Sequence, residues 1–455
     1  MAPPESSVDS MNNAIDPADV SRTTYLDKID RYVQKVEAFR FSPRQADVKG
    51  LRHSGPQGKV EPLTVIDDPA DWKATDWEGR EEEYTYHFTK EDVAELSSAV
   101  SKVKHSGVSS EQDILQLTRD QFSLPKLAPK LIAIGKEVNA GRGFKLVRGF
   151  PVQQYHEDRL GLVLAFWGLG LHLGRPLISQ TDYLEDGTIF GSVLNHVTDG
   201  RWTNAYKQKQ QQEGMSGTDR STSTRKVDKS RLAFHTDQGA TDLIALLSIS
   251  AASQGGESKW VSAIAIHNEL LRRGRQDLVD ELSKEKTWYT PRKVSQQAYE
   301  RNADGSFAGY EEEVPFAYHD GYLSVHFEAN KYQDIQLTPL QEEAVWAVAA
   351  LAESPEFNLS KTLQPGDIEI VHNPTIFHSR GEVLDGETPR EKRHLLRWWV
   401  ATDANKRPIP PLFAPRSNVQ ATGGFVVPTG SPVRLPLYPY SRHDGLGESH
   451  ATLQA

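Results

Sequence analysis

The sequence predicts an α+β, mainly β protein: a β-sandwich or barrel core flanked by helices. Three observations predict it. Helical periodicities crowd residues 88–172, short strand-like runs fill 188–400, and a single long helical segment at 338–354 interrupts the strands. Helices first, then many short strands with inserted elements, is the pattern of such a core. A chain of 455 residues accommodates one large elaborated domain or two smaller ones.

Residues 1–60 are polar and mixed in charge and read as an N-terminal extension. Within it, "YLDKIDRYVQKVEAF" (25–39) has apolar positions at helical spacing and suits one docked amphipathic helix. In "FTKEDVAELSSAVSKV" (88–103) Thr89 precedes Glu91 and Asp92 as a helix cap. Residues 127–152 read as helix, Gly turn and short strand, and a second helix follows at 157–172. Strand-like runs then come at 188–197, 241–250, 257–266, 315–326, 366–372 and 393–400. The run at 315–326, "FAYHDGYLSVHF", has Asp-Gly at its centre and predicts a hairpin. Thr338 and Pro339 open the helix at 338–354. Residues 203–230 are Gln/Ser/Thr/Lys-rich and nearly devoid of apolar side chains. A loop of that length is either functional or disordered, and a lid over a site is the expectation. Residues 403–455 form a C-terminal tail.

Bulk composition excludes several functions. There is no cysteine, which removes disulfides, zinc–thiolate sites, iron–sulfur clusters and cysteine nucleophiles. Any metal must be held by His and carboxylate. The net charge of -10 argues against a nucleic-acid partner. Mean hydropathy is -0.56, and no run approaches the roughly 18 apolar residues of a membrane span. The N-terminus lacks the basic and apolar regions of a secretory signal, and the C-terminus is not a peroxisomal or reticular address. A cytoplasmic protein is expected, and a homo-oligomer built through the N-terminal arm is compatible with the sequence.

The chemistry-bearing stretch is "LAFHTDQGATD" (232–242), with His235 and Asp237 two residues apart in a strand-like run. On a strand, residues i and i+2 face one spot. If that spot is core, both must be satisfied at a cost of a few kcal/mol; if it is a cavity, they suit a metal. "QPGDIEIVHNPTIFHSRGE" (364–382) offers a third ligand, His372 or His378. Two histidines and a carboxylate make the facial triad of non-haem Fe(II) oxygenases. Of the other histidines, His105, His156, His172, His196, His267, His319 and His326 read as surface or structural groups.

"FHTD", "GGESKWVSAIAIHNELL" (255–271), "LQPGDIEIVHN…FHSRGE" and "RHLLRWWVA" (393–401), in that order, resemble the TauD/TfdA branch of Fe(II)/2-oxoglutarate-dependent dioxygenases, a clavaminate synthase-like group. The resemblance covers residues 88–402. It implies a double-stranded β-helix (jelly-roll, cupin-like) and a single dioxygenase domain over 61–402. It implies His235, Asp237 and His378 as the metal ligands, with His372 beside them. Ser258, where Thr is commoner, would hydrogen-bond the distal carboxylate of 2-oxoglutarate, and Arg393 would pair with it. Arg suits a buried carboxylate because its planar fork binds bidentately; the bland alternative for Arg393 is a surface charge. Arg397, four residues on, points to the same face. By analogy with relatives it would bind an anionic group of the substrate, the alternative being an internal ion pair with Asp182 or Asp237.

The implied reaction is oxidation of an unactivated C–H bond of a small, carboxylate-bearing molecule, with Fe(II), 2-oxoglutarate and O2 consumed to succinate and CO2. The outcome is hydroxylation, or desaturation, cyclisation or cleavage. A cupin-like metal-dependent isomerase or a non-catalytic binding protein is the alternative on the same scaffold. A Zn(II) hydrolase would leave Ser258 and Arg393 without purpose.

Overall fold

The computed structural model describes residues 25–41, 50–183, 189–198, 231–237, 240–291, 310–333, 335–386, 391–402, 407–413 and 423–438. The expected lid at 203–230 lies outside them.

Two sheets face each other between two helical layers. The strands that build them are β1 (Thr85–His87), β2 (Phe144–Arg148), β3 (Arg175–Leu177), β4 (Leu194–Thr198), β5 (Leu232–His235), β6 (Leu243–Ser250), β7 (Ser258–Ser262), β8 (Leu359–Lys361), β9 (Ile368–His372), β10 (Ile376–Arg380) and β11 (His394–Ala401). The larger sheet runs β1-β2-β9-β6-β11-β3, with β4 also paired to β11; the smaller runs β8-β7-β10-β5. From β5 to β7 and again from β9 to β11 the chain alternates between the two sheets.

Side-chain alternation assigns the faces. Ile368 and Ile370 of β9 and Leu396, Trp398 and Val400 of β11 pack against the helices Lys90–His105, Leu127–Ala140 and Arg159–Leu173. Their neighbours Val371 and Trp399 turn the other way and meet Trp260 of β7 and Ile376 of β10 between the sheets. Phe234, Val261 and Phe377 on the far face of the smaller sheet pack against Ala263–Arg272, Gln276–Leu282 and Pro339–Glu353. Each sheet thus buries one face on helices and shares the other.

Most expected elements form. Thr89 caps Lys90–His105 by accepting from Asp92 N, and Thr338 caps Pro339–Glu353 by accepting from Gln341 N. The hairpin closes through Asp320 and Gly321, with φ of 47° and 77°, the left-handed pair that matches strand twist. Two runs end early. The strand expected over 257–266 stops at Ser262, whose Oγ accepts from Ala265 N and starts a helix. The run at 232–242 breaks after His235: Thr236 N donates to the Phe327 carbonyl, and Ala240 is left-handed with φ 48°.

The helix Tyr25–Ala38 forms and buries Ile29 and Tyr32. Tyr32 donates its hydroxyl to Glu353 at 2.7 Å, and the other Glu353 oxygen pairs with Arg231 at 2.5 Å, one residue before β5. Beyond 402, Val433–Arg434 pairs with Gly191–Ser192. Among the described residues no helix is long and apolar enough to cross a membrane.

Candidate functional site

Register brings the site together. His378 on β10 stands opposite His235 on β5 and, on its other side, opposite Trp260 on β7. Trp260 points between the sheets, so the whole row does. The two imidazole centroids are 4.3 Å apart. Asp237 reaches the same spot from the loop after β5, not from the strand itself. Its Oδ1 lies 3.7 Å from His235 Nε2 and 3.9 Å from His378 Nε2. One donor atom from each of the three falls within 4.8 Å of the others. The His235, Asp237 and His378 side chains are 11%, 11% and 13% exposed.

The surroundings orient these donors. His235 donates from Nδ1 to the Ala233 carbonyl at 2.9 Å, which leaves Nε2 as the lone-pair nitrogen. Asn373 clasps the Asp237 backbone, accepting from its N at 2.8 Å and donating to its O at 2.9 Å. The second carboxylate oxygen, Oδ2, accepts from Arg397 Nη1 at 2.7 Å and Trp399 Nε1 at 2.9 Å. Arg397 therefore takes the internal partner that was its alternative assignment, and the distal carboxylate oxygen is anchored while Oδ1 faces the imidazoles. His372 stays out of the cluster: it is fully buried and its Nδ1 engages Thr375 Oγ1 at 2.7 Å. Burial holds its pKa well below the ordinary histidine range.

Two residues further along the same strands, about 7 Å, Ser258 stands opposite Arg380. Arg393, just before β11, comes to this spot. Its side chain lies on Gly256, where an added Cβ would meet Arg393 Cδ at 2.9 Å; Gly256 is itself left-handed with φ 70°. Gly256 thus makes room for the Arg393 side chain. Arg393 is 7% exposed, and among the described residues its guanidinium has no hydrogen bond or ion pair. Burial, with the neighbouring Arg380 charge, brings its pKa down to about 10. A buried cation with no ion-pair contact, beside a buried hydroxyl, has the chemistry that suits an anion.

Asn373, Trp399 and Glu369, which hydrogen-bonds Trp260 Nε1 at 3.0 Å, escaped sequence reasoning. Asn373 carried a signal in its place before Pro374, where the chain crosses sheets. Trp399 is the i+2 neighbour of Arg397, so the alternation of β11 already put both on one face.

Two imidazoles and one carboxylate between facing sheets define the donor set of a non-haem metal oxygenase. Comparison with known proteins gives the family: residues 111–399 match the model of the taurine catabolism dioxygenase TauD, TfdA family, and the chain belongs to it. It is an Fe(II)- and 2-oxoglutarate-dependent dioxygenase. It is 29% identical over 353 residues to the taurine hydroxylase-like protein SAT17 of Stachybotrys chartarum, covering 76% of this chain and 82% of that one. It is 24% identical over 348 residues to FR-33289 synthase of Streptomyces rubellomurinus, covering 72% and 88%. Among solved structures, asparagine oxygenase with Fe(II), hydroxyasparagine and succinate aligns at TM-score 0.48 and 15% identity, covering 70% of this chain and 93% of that one. The non-heme iron oxygenase OrfP with Fe, succinate and dihydroxyarginine aligns at 0.49 and 13%, covering 70% and 94%.

Proposed function

We propose that His235, Asp237 and His378 hold the iron, that Ser258 and Arg393 receive the distal carboxylate of 2-oxoglutarate, and that the enzyme oxidises an unactivated C–H bond of a small molecule. The residues fit the metal. Both Nε2 atoms and Oδ1 converge, while His235 Nδ1 and Asp237 Oδ2 are engaged elsewhere. When bound, iron with 2-oxoglutarate and O2 supplies the oxidising chemistry, and succinate and CO2 are released. The protein's share is positioning: Arg397, Trp399 and Asn373 fix the carboxylate, and the Arg393 pocket sets how a dicarboxylate lies. The alternation of strands between two sheets supports a double-stranded β-helix, and residues 61–402 are read as its single domain.

The observation that carries this reading is the buried, unpaired guanidinium of Arg393. An isomerase or a binding module with the same triad has no use for it. We assign Arg397 to Asp237 and not to a substrate anion, so an acidic substrate no longer follows from that residue. The test is succinate formation from 2-oxoglutarate with Fe(II), ascorbate and air, followed by a panel of amino acids and small carboxylic acids scored for added turnover. Absence of any 2-oxoglutarate consumption by iron-loaded protein would favour the isomerase or binding alternative.

A further inference from the structure

Beside the Arg393 pocket lies an acid that the proposed chemistry does not use. Glu369 of β9 is 4% exposed. Its chain neighbours Ile368 and Ile370 face the helices, so its carboxylate points between the sheets, as Val371 does. There it accepts from Trp260 Nε1 at 3.0 Å, and Ser258 lies beside Trp260 on the same face of β7. The flanking strands put Leu246 and Leu146 opposite it, neither charged. The charge it faces is Arg393, which in turn faces Arg380, Asp385 and Glu257.

This arrangement creates a conflict of charge. An ionised Glu369 balances Arg393 from a distance. A ligand carboxylate entering beside Arg393 adds a second negative charge to the same dry space. Like charges there raise the proton affinity of whichever carboxylate has the weaker cationic contact. The ligand would bind Arg393 directly, whereas Glu369 lies beyond ion-pair contact and its burial already favours the neutral acid.

We propose that Glu369 makes cosubstrate binding proton-linked: it is the resting counter-charge of Arg393, and it takes up one proton from solvent when a dicarboxylate occupies the pocket. The Ser258 hydroxyl donates to the ligand carboxylate. Charge is conserved, since one anion and one proton enter together. Affinity then falls with rising pH. The fall is about tenfold per pH unit between the apparent pKa of Glu369 in the free protein and that in the complex. The inference rests on the reading that Arg393 and Ser258 receive 2-oxoglutarate.

The experiment is calorimetric titration of Fe(II)-loaded full-length protein with 2-oxoglutarate under nitrogen, in two buffers of different ionisation enthalpy, from mildly acidic to mildly alkaline pH. Pyruvate, a 2-oxo acid without the distal carboxylate, is the control. The expected result is uptake approaching one proton for 2-oxoglutarate and none for pyruvate. Glu369→Gln, which keeps an acceptor for Trp260, should bind with no uptake and a pH-independent Kd. A protonated-carboxyl stretch should appear in the infrared difference spectrum on binding and vanish in that variant. Binding without proton uptake in the wild type, or unchanged uptake in Glu369→Gln, overturns the proposal. The wild-type count needs no variant, so a misfolded Glu369→Gln leaves it testable. Arg393→Met separates the two readings. Undiminished 2-oxoglutarate binding by that variant sinks the pocket assignment itself, whereas lost binding with no wild-type proton uptake sinks only the role of Glu369.

Discussion

Arg397 donates from Nη1 to Asp237 Oδ2 at 2.7 Å, with Trp399 Nε1 on the same oxygen at 2.9 Å. Both donors lie on the face of β11 that looks between the sheets, and together they leave Oδ1 for the imidazole pair. An ion pair this buried is costly to break from one side, about 3–5 kcal/mol, because the remaining charge is stranded. Arg397→Met should therefore weaken Fe(II) binding by about 10- to 100-fold, the usual effect of losing a group that orients a metal ligand. Substrate-free decarboxylation of 2-oxoglutarate should fall with it. Competition titration with a chelator measures the first and succinate release the second. Normal iron affinity and normal uncoupled turnover, with only the substrate-dependent rate impaired, would return Arg397 to the substrate.

The triad itself makes a sharper demand. His235→Ala, Asp237→Ala and His378→Ala should each abolish iron-dependent consumption of 2-oxoglutarate, whereas His372→Ala should keep a measurable fraction. His372 is buried with Thr375 as its partner and takes no place in the cluster. Iron content after gel filtration is the companion measurement. Activity in the His378 variant with none in the His372 variant would reassign the third ligand.

The convergence of His235, Asp237 and His378 was legible in the sequence because they sit in blocks whose order and spacing survive translation into a line of letters. The nearness of Ser258 and Arg393 was legible for the same reason, and the helix caps at Thr89 and Thr338 because capping is local chemistry. What was not legible depends on register. That Glu369, Leu246 and Arg397 share one row of the larger sheet follows from pairing between strands over a hundred residues apart. So does the place of Trp260 beside His378. The pairing of Arg397 with Asp237 is one of two readings the sequence allows, because two arginines on one face need two anions and nothing local says which. The early end of β5 at His235 was missed: a Thr-Asp-Gln-Gly run permits both strand and loop, and the choice is made by the bond from Thr236 N to Phe327.

The N-terminal helix has a definite task. Tyr32 and Arg231 share the carboxylate of Glu353, and Arg231 leads directly into the strand that carries His235. Tyr32→Phe removes one donor from a largely buried carboxylate and should cost about 1–3 kcal/mol of stability. Removal of residues 1–40 should cost more, since Ile29 and Tyr32 leave the core as well. Urea unfolding of both variants checks this. Unchanged midpoints would mean that the helix rests on the body without supporting it.

Stability should also depend on pH through His267. Its ring is fully buried against Tyr318 and Asn268, and burial lowers its pKa to about 4. The unfolded chain binds this proton below pH ~6.5, the native protein only near its depressed value. Native stability is therefore complete above the unfolded pKa and is lost as pH falls through the window between the two, by about 3 kcal/mol in total. Denaturation midpoints at neutral and mildly acidic pH should show the loss, and His267→Gln should flatten it. An equal slope in that variant would place the effect in other groups.

The last prediction concerns Arg393, on which the functional reading depends most. Its guanidinium is buried on the bare backbone of Gly256, near Ser258, with no ion-pair contact among the described residues. A ligand carboxylate entering there would gain a charged bidentate partner, and removing that partner should cost about 2–5 kcal/mol, or roughly 30-fold to several thousand-fold in affinity. Arg393→Ala should raise the apparent constant for 2-oxoglutarate by that factor and suppress even uncoupled decarboxylation, while iron content stays near normal because no triad residue touches it. Ser258→Ala should move the same constant in the same direction by less, since a neutral hydrogen bond contributes only about 0.5–1.5 kcal/mol. Thermal shift separates binding from turnover: 2-oxoglutarate added to the Fe(II)-loaded protein should stabilise the wild type further and leave Fe(II)-loaded Arg393→Ala nearly unmoved. Gly256→Ala is the structural counterpart, because its Cβ would press on Arg393 Cδ at 2.9 Å. It should impair 2-oxoglutarate binding with every pocket side chain still present. If Arg393→Ala bound 2-oxoglutarate as the wild type does, the anion site would belong elsewhere and the chemistry proposed for the triad would need another cosubstrate pocket.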